Sequence, residues 1–293
     1  MIWKGIWADF SAGKQFFLLL LIACFSFMIC YGVGVAYCYQ TSNSFNDVMG
    51  ISNLSCLKIL QATSSLGIFV FPVLFFSFLT TFDLGLKPFK RQDVLLSVAL
   101  IIFSMPLVNA LVLWNESLYL PSFLHEVEHW MRAAEQKAKL ITDAFLQMDN
   151  YSDLIINLGL MAILPAVGEE LLFRGLLQQK LFSCFKNIHI SIWITAFLFS
   201  ALHLQFFGFF PRFLLGALLG YMFYWSGSLW LPIIAHFTNN ALALLMSFFM
   251  SKNMISTDLD QIGIDENMWN TIAISGIAIV MMIYLFRQGS TRT

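Results

Sequence analysis

Charge is what this sequence has least of. Only 11% of its 293 residues are Asp, Glu, Lys or Arg, whereas 59% are hydrophobic; soluble domains carry roughly a quarter charged. That shortage excludes an ordinary soluble domain. Cysteine patterning is absent as well. Cys24, Cys30, Cys38, Cys56 and Cys184 are odd in number and form no C-x-x-C spacing, so they read as small apolar filler and not as a disulfide framework or metal site. No clear small-residue cleavage site follows the first apolar run, which lies behind Lys4 and Lys14 and reads as a retained span.

What stands in place of charge is apolar length. Runs of about 20 residues, each long enough to cross a hydrocarbon core of roughly 30 Å, recur along the chain. Eight spans are expected, over 16–39, 59–82, 94–114, 154–180, 189–207, 210–226, 229–250 and 270–286. The fold class is therefore all-α, a polytopic bundle of membrane helices. Residues 1–153 read as N-terminal spans plus an outer amphipathic segment, 154–250 as the part that carries chemistry, and 251–293 as an outer loop and last span. Alternate threading from an inner N-terminus places Lys4, Lys14, Lys87, Lys90, Arg91, Lys180, Lys186, Arg287 and Arg292 inside. Lys58, Arg132, Lys137, Lys139, Arg212 and Lys252 fall outside, with most of the acids, among them Asp47, Asp258, Asp260 and Asp265. The inner excess of basic residues predicts that both termini are cytoplasmic. Within the polar segment 115–153, Trp130, Ala133, Ala134, Lys137, Leu140, Ile141, Ala144 and Phe145 have the spacing of one face of an interfacial helix.

The same threading leaves three charges away from loops and span ends. They are Glu169, Glu170 and Arg174, in the stretch GEELLFRG. Each costs about 2.5–3.5 kcal/mol at mid-span on insertion scales, so the group needs partners or a wet cavity. Glu170 and Arg174 are four apart with the acid N-terminal, the favourable order for an ion pair. Glu169 points about 100° away around the helix and is left as the candidate general base. Two histidines also lie within apolar spans: His203, four after Phe199, and His236, four before Asn240. An imidazole and a carboxamide one turn apart are able to donate together to a developing oxyanion.

A competing motif is HEVEH at 125–129, a literal match to the zinc signature H-E-x-x-H. It sits in a charged loop with Glu128 in its middle and without a clear third ligand. The expected reading is a solvated helix start, and neither a metal nor another cofactor is expected.

Glu169-Glu170-Leu-Leu-Phe-Arg174, Phe199-Ser-Ala-Leu-His203 and His236-Phe-Thr-Asn-Asn240 together resemble the ordered motifs E-E-x-x-x-R, F-x-x-x-H and H-x-x-x-N of the CPBP intramembrane proteases. That family includes the type II CAAX prenyl endopeptidases and bacterial Abi-type proteins, and the resemblance covers roughly residues 150–250. It implies hydrolysis of a peptide bond in a membrane-associated protein or peptide. Glu169 and His203 would activate a water, His236 and Asn240 would stabilise the oxyanion, and Glu170 with Arg174 would organise the site. The expected location is a bacterial plasma membrane, with the bilayer and the substrate as partners, no nucleic acid and an oligomeric state left open. The alternative is a non-catalytic scaffold, or a proton-linked immunity or binding protein, built on the same polar cluster. One expectation conflicts with it. Along straight spans at 1.5 Å per residue, Glu169 lies roughly 20 Å below the outer face, while His203 is only three or four residues from the outer end of the fifth span. Either residues 183–192 form an inner loop and that span starts near Trp193, or the HLQFFGFFPRF turn is sunk inside the bundle. Pro165 is expected to bend the fourth span.

Overall fold

The computed structural model describes residues 3–41, 53–256, 262–264 and 266–290. Asp47, Asp258, Asp260, Asp265 and Arg292, counted in the threading above, lie outside them. The described residues form nine helices: α1 (Ala12–Thr41), α2 (Leu54–Thr80), α3 (Arg91–Glu116), α4 (His125–Leu146), α5 (Tyr151–Phe185), α6 (Ile188–Ala201), α7 (Phe209–Ser226), α8 (Trp230–Ser251) and α9 (Met268–Ser290). Seven are long and apolar enough to cross a membrane. Large side chains such as Phe17, Phe25, Met28, Ile277 and Val280 stand more than 60% exposed. Lipid covers such faces, and helices are the form that satisfies the backbone inside it.

Two sets of contacts define the ends of the bundle. At one, Gly5 N donates to Phe78 O (3.2 Å), Leu229 N to Gly85 O (2.7 Å) and Ser228 Oγ to Lys87 O (2.6 Å). Lys180 Nζ donates to Gln15 Oε1 there (2.6 Å), and Trp225 meets Phe286 with ring centroids 6.5 Å apart. The beginning of α1 and the end of α9 therefore share this end. At the other, Lys252 Nζ donates to Asp149 O (2.6 Å) and Asn109 Nδ2 to Ile262 O (3.1 Å). Between the ends, Leu171, Leu176 and Leu229 pack with Val73 and Phe76, while Leu100, Leu219, Leu231 and Met282 form a second buried cluster.

Two expectations need correction. The fifth span, expected over 189–207, is the 14-residue α6, which begins at Ile188 and stops at Ala201. At about 21 Å it is too short to cross a core of roughly 30 Å. It stops because Leu204 turns left-handed (φ 54°) and Gln205 is extended before the chain re-enters α7. On α4 the covered residues include Met131, Ala134, Glu135, Ala138, Ile141, Thr142, Ala144 and Phe145, so Ala134, Ile141, Ala144 and Phe145 of the expected face are covered while Trp130, Ala133, Lys137 and Leu140 are exposed. The apolar arc of an interfacial helix is wider than the strip that touches protein, since lipid takes the remainder.

Candidate active site

The site starts with a proline. Pro165 has no N–H to return to the carbonyl four residues back, that of Met161, and α5 is π-helical over Leu158–Ile163 and again over Leu171–Gln178. Between these wide turns lies an α-helical stretch, Leu164–Glu170, that ends on the two acids. The carbonyl that Pro165 leaves accepts from Asn240 Nδ2 of α8 at 3.3 Å.

Glu170 and Arg174 form the expected pair. Arg174 Nη1 donates to Glu170 Oε1 at 2.6 Å, and neither side chain is exposed. Arg174 Nη2 donates to Gly216 O on α7 (2.8 Å), and its guanidinium lies 4.6 Å from the Phe199 ring centroid. This close approach needs Gly216, because a Cβ there would stand 3.2 Å from Phe199 Cδ1 and 3.4 Å from Ala196 Cα. Glu170 Oε1 is also 2.9 Å from His236 Nδ1. A carboxylate only accepts, so Nδ1 carries the proton in that contact and Nε2 faces Glu169.

Glu169 points the other way. Its Oε2 lies 3.8 Å from His203 Nε2 and 4.0 Å from His236 Nε2, each too long for a direct hydrogen bond and right for one bridging water. His203 Nδ1 is 2.7 Å from Phe199 O, and since a carbonyl only accepts, neutral His203 presents the lone pair of Nε2 to Glu169. Phe199 is the hub: its ring meets His203 (5.0 Å), His236 (5.9 Å) and Phe173 (5.2 Å) edge-on.

Five of the six residues singled out, Glu169, Glu170, Arg174, His203 and His236, thus meet in one cluster. Asn240 sits one helical turn further along α8, with its carboxamide bonded to Met161 O and to Asn239 Nδ2 (3.2 Å). The conflict over the depth of His203 resolves in favour of a sunken turn. Measured from the end where α5 closes and α6 begins, Glu169 is 16 residues from Phe185 and His203 is 15 from Ile188, heights of about 24 and 22 Å. The turn 202–208 is held down by α3 and α4. Asn115 donates to Phe206 O (2.9 Å) and accepts from Phe210 N (3.1 Å), while Trp130 packs on Phe206 (5.2 Å) and Arg132 lies over Phe207 (4.6 Å).

Sequence reasoning missed one charged neighbour of the cluster. Arg212, counted among the outer loop charges, lies in the first turns of α7 and is near enough to act electrostatically on both Glu169 and His203. The signal was its position nine residues after His203, across a turn that the straight ladder placed at the surface. The HEVEH segment begins α4, where Glu128 serves Arg132 (2.7 Å) and Leu120 N (3.1 Å). That pairing with the Arg132 guanidinium holds the Glu128 carboxyl below its usual range. Among the described residues no group of three His, Cys, Asp or Glu is arranged to hold a metal ion.

Residues 151–242 match the family described as type II CAAX prenyl endopeptidase Rce1-like. The segment runs from the first residue of α5 to two residues past Asn240 and holds every group of the cluster. Over 85 residues the chain is 35% identical to the Bacillus subtilis protein YpbD, described as uncharacterized. That similarity covers 28% of this chain and 40% of the relative's length. No solved structure gives a significant match.

Proposed function

We propose, on the premise that the chain belongs through residues 151–242 to the Rce1-like type II CAAX prenyl endopeptidase family, that it is an intramembrane endopeptidase in which Glu169 activates the attacking water. The observation that carries this is the convergence of Glu169 Oε2 and two imidazole nitrogens at 3.8 and 4.0 Å. A water between Glu169 and His203 gives its two protons to two acceptors, which leaves an oxygen lone pair free to attack a peptide carbonyl. One proton passes to Glu169 as the C–O bond forms. It moves on to the amine nitrogen as the C–N bond breaks; the new carboxyl group gives up the water's second proton to the amine through His203, and a carboxylate and a protonated amine leave.

His236 bridges both halves of the cluster. With Nδ1–H committed to Glu170, its Nε2 donates to the oxyanion when the ring carries a second proton, and Glu170 is the counter-ion for that form. Asn240 has a second N–H beyond the one given to Met161, and it is the remaining donor for the oxyanion. Glu170 and Arg174 hold His236 in place. The peptide is that of a membrane-associated protein, and the basic end of the bundle, with both termini, faces the cytoplasm.

The test compares membrane peptides from cells carrying wild type with those from cells carrying Glu169→Gln. Glutamine keeps the size and removes the basicity, so a substrate should accumulate uncut in the variant. A scaffold or proton-linked binding protein would show no such peptide.

A further inference from the structure

The first helical hairpin closes through its glycines. At Gly67 of α2 an added Cβ would stand 2.9 Å from Phe27 Cα, and at Gly34 of α1 one would stand 2.5 Å from Thr63 Oγ1. Backbone meets backbone along this seam, with the Cα atoms of Phe27 and Gly67 within about 4.5 Å of each other. The register runs on to two cysteines. Residue 27 faces 67 and residue 38 faces 56, mirrored about one point of the hairpin, and Cys38 Sγ lies 3.8 Å from Cys56 O.

Cys38 and Cys56 are 0% and 2% exposed, packed with Leu60, Tyr31 and Val35. Their side chains also interact with each other. The other three cysteines are placed differently: Cys24 and Cys184 are exposed, and Cys30 lies against Gly67, its Cβ 3.0 Å from where a Cβ on that glycine would be. Because α1 begins at the basic end of the bundle, Cys38, three residues before Thr41, lies at the opposite end, where α2 begins. On the orientation proposed above, that end faces away from the cytoplasm, the side on which disulfides persist.

We propose that Cys38 and Cys56 form a disulfide that staples α1 to α2. It goes beyond the protease reading and shares with it only the orientation. A disulfide needs Cα atoms about 4.4–6.8 Å apart, the range in which a seam this close holds facing residues. The oxidant is an external disulfide, of the kind that thiol oxidases of the outer side carry. One thiolate of the pair attacks a sulfur of that disulfide to give a mixed disulfide, and the second thiolate attacks the cysteine sulfur of the new bond. The pair's two electrons and two protons end on the oxidant, which leaves as a dithiol. Both cysteines are covered once the seam has closed, so the exchange belongs to the assembly of the hairpin. The staple bears on the site through the wide turn Leu66–Val70, since Phe69 Cβ lies 2.9 Å from where a Cβ on Gly168 would be, next to Glu169.

The test counts thiols. Full-length protein is made in a bacterial host with a periplasm, the cells are lysed into N-ethylmaleimide and denaturant, and the mass is read with and without prior reduction. Of the five cysteines, three should react without reductant and all of them after it, and proteolysis should yield one reducible peptide pair joining residues 38 and 56. Cys56→Ala should leave four thiols, all reactive. Five reactive thiols before reduction, or a bond joining another pair, overturns the proposal. Oxidation of the membranes with copper–phenanthroline then locates the fault: a Cys38–Cys56 bond formed only there counts against the orientation, and none counts against the contact. Neither result bears on whether Glu169→Gln abolishes cleavage.

Discussion

At the scale of single residues, two nearly identical side chains take different work because of what stands next to them. Glu170 gives one oxygen to both Arg174 and His236, whereas Glu169 meets two imidazole nitrogens at water-bridging distance. Removing the Glu170 charge leaves Arg174 buried without its counter-ion, so Glu170→Gln should cost about 3–5 kcal/mol, read as a lowered thermal midpoint in detergent. The double change Glu170→Met with Arg174→Met should recover most of that stability while leaving the protein inactive, because His236 loses the group that orients it. Asn240 provides a sharper case. Its bond to Met161 O exists because Pro165 withholds an N–H, so Asn240→Ala should cost about 1–3 kcal/mol through an unsatisfied carbonyl. In a Pro165→Ala background the backbone supplies that donor, and a double-mutant cycle on thermal stability should show the two changes coupled. Any loss of turnover that Pro165→Ala does not restore then reports the oxyanion role alone.

At the scale of elements, the site depends on one helix that wavers and one that stops short. The motif residues were legible in the sequence because each conflicts with its surroundings: a carboxylate or imidazole in an apolar run is conspicuous, and i,i+4 spacing paired Glu170 with Arg174 correctly. The depth of His203 was not legible. It is set by the left-handed Leu204 and by Asn115 and Trp130 clamping the turn from distant segments, and no local pattern reports such contacts. Arg212 was hidden for the same reason, since it counts as a loop charge only while the turn is placed at the surface. Only half of the expected α4 face is covered by protein, because hydropathy does not tell protein contact from lipid contact. The α6–α7 approach is testable directly. Gly216→Val pushes a branched side chain toward Phe199 and Ala196, and it should cost about 1–3 kcal/mol by overpacking. Turnover should fall further than stability does, since Phe199 is the ring on which Arg174, His203 and His236 all lean.

At the scale of the whole molecule, hydropathy alone gave an all-helical bundle with near-correct spans, because length and apolarity are what a bilayer selects. The first and last helices meet the same end of the bundle, through Gln15 with Lys180 and Trp225 with Phe286. Reporter fusions to the N- and C-terminus should therefore show equal protease accessibility, and sealed cells should protect both if the basic end is cytoplasmic. The central claim is narrower: Glu169 is the base. Its most direct measurement is the cleavage rate of a peptide found to accumulate uncut, using purified wild type and Glu169→Gln with thermal midpoints recorded for both. The account predicts unchanged folding and a rate at least about 100-fold lower, the scale of general-base catalysis. A folded Glu169→Gln protein that cleaves at the wild-type rate would contradict it.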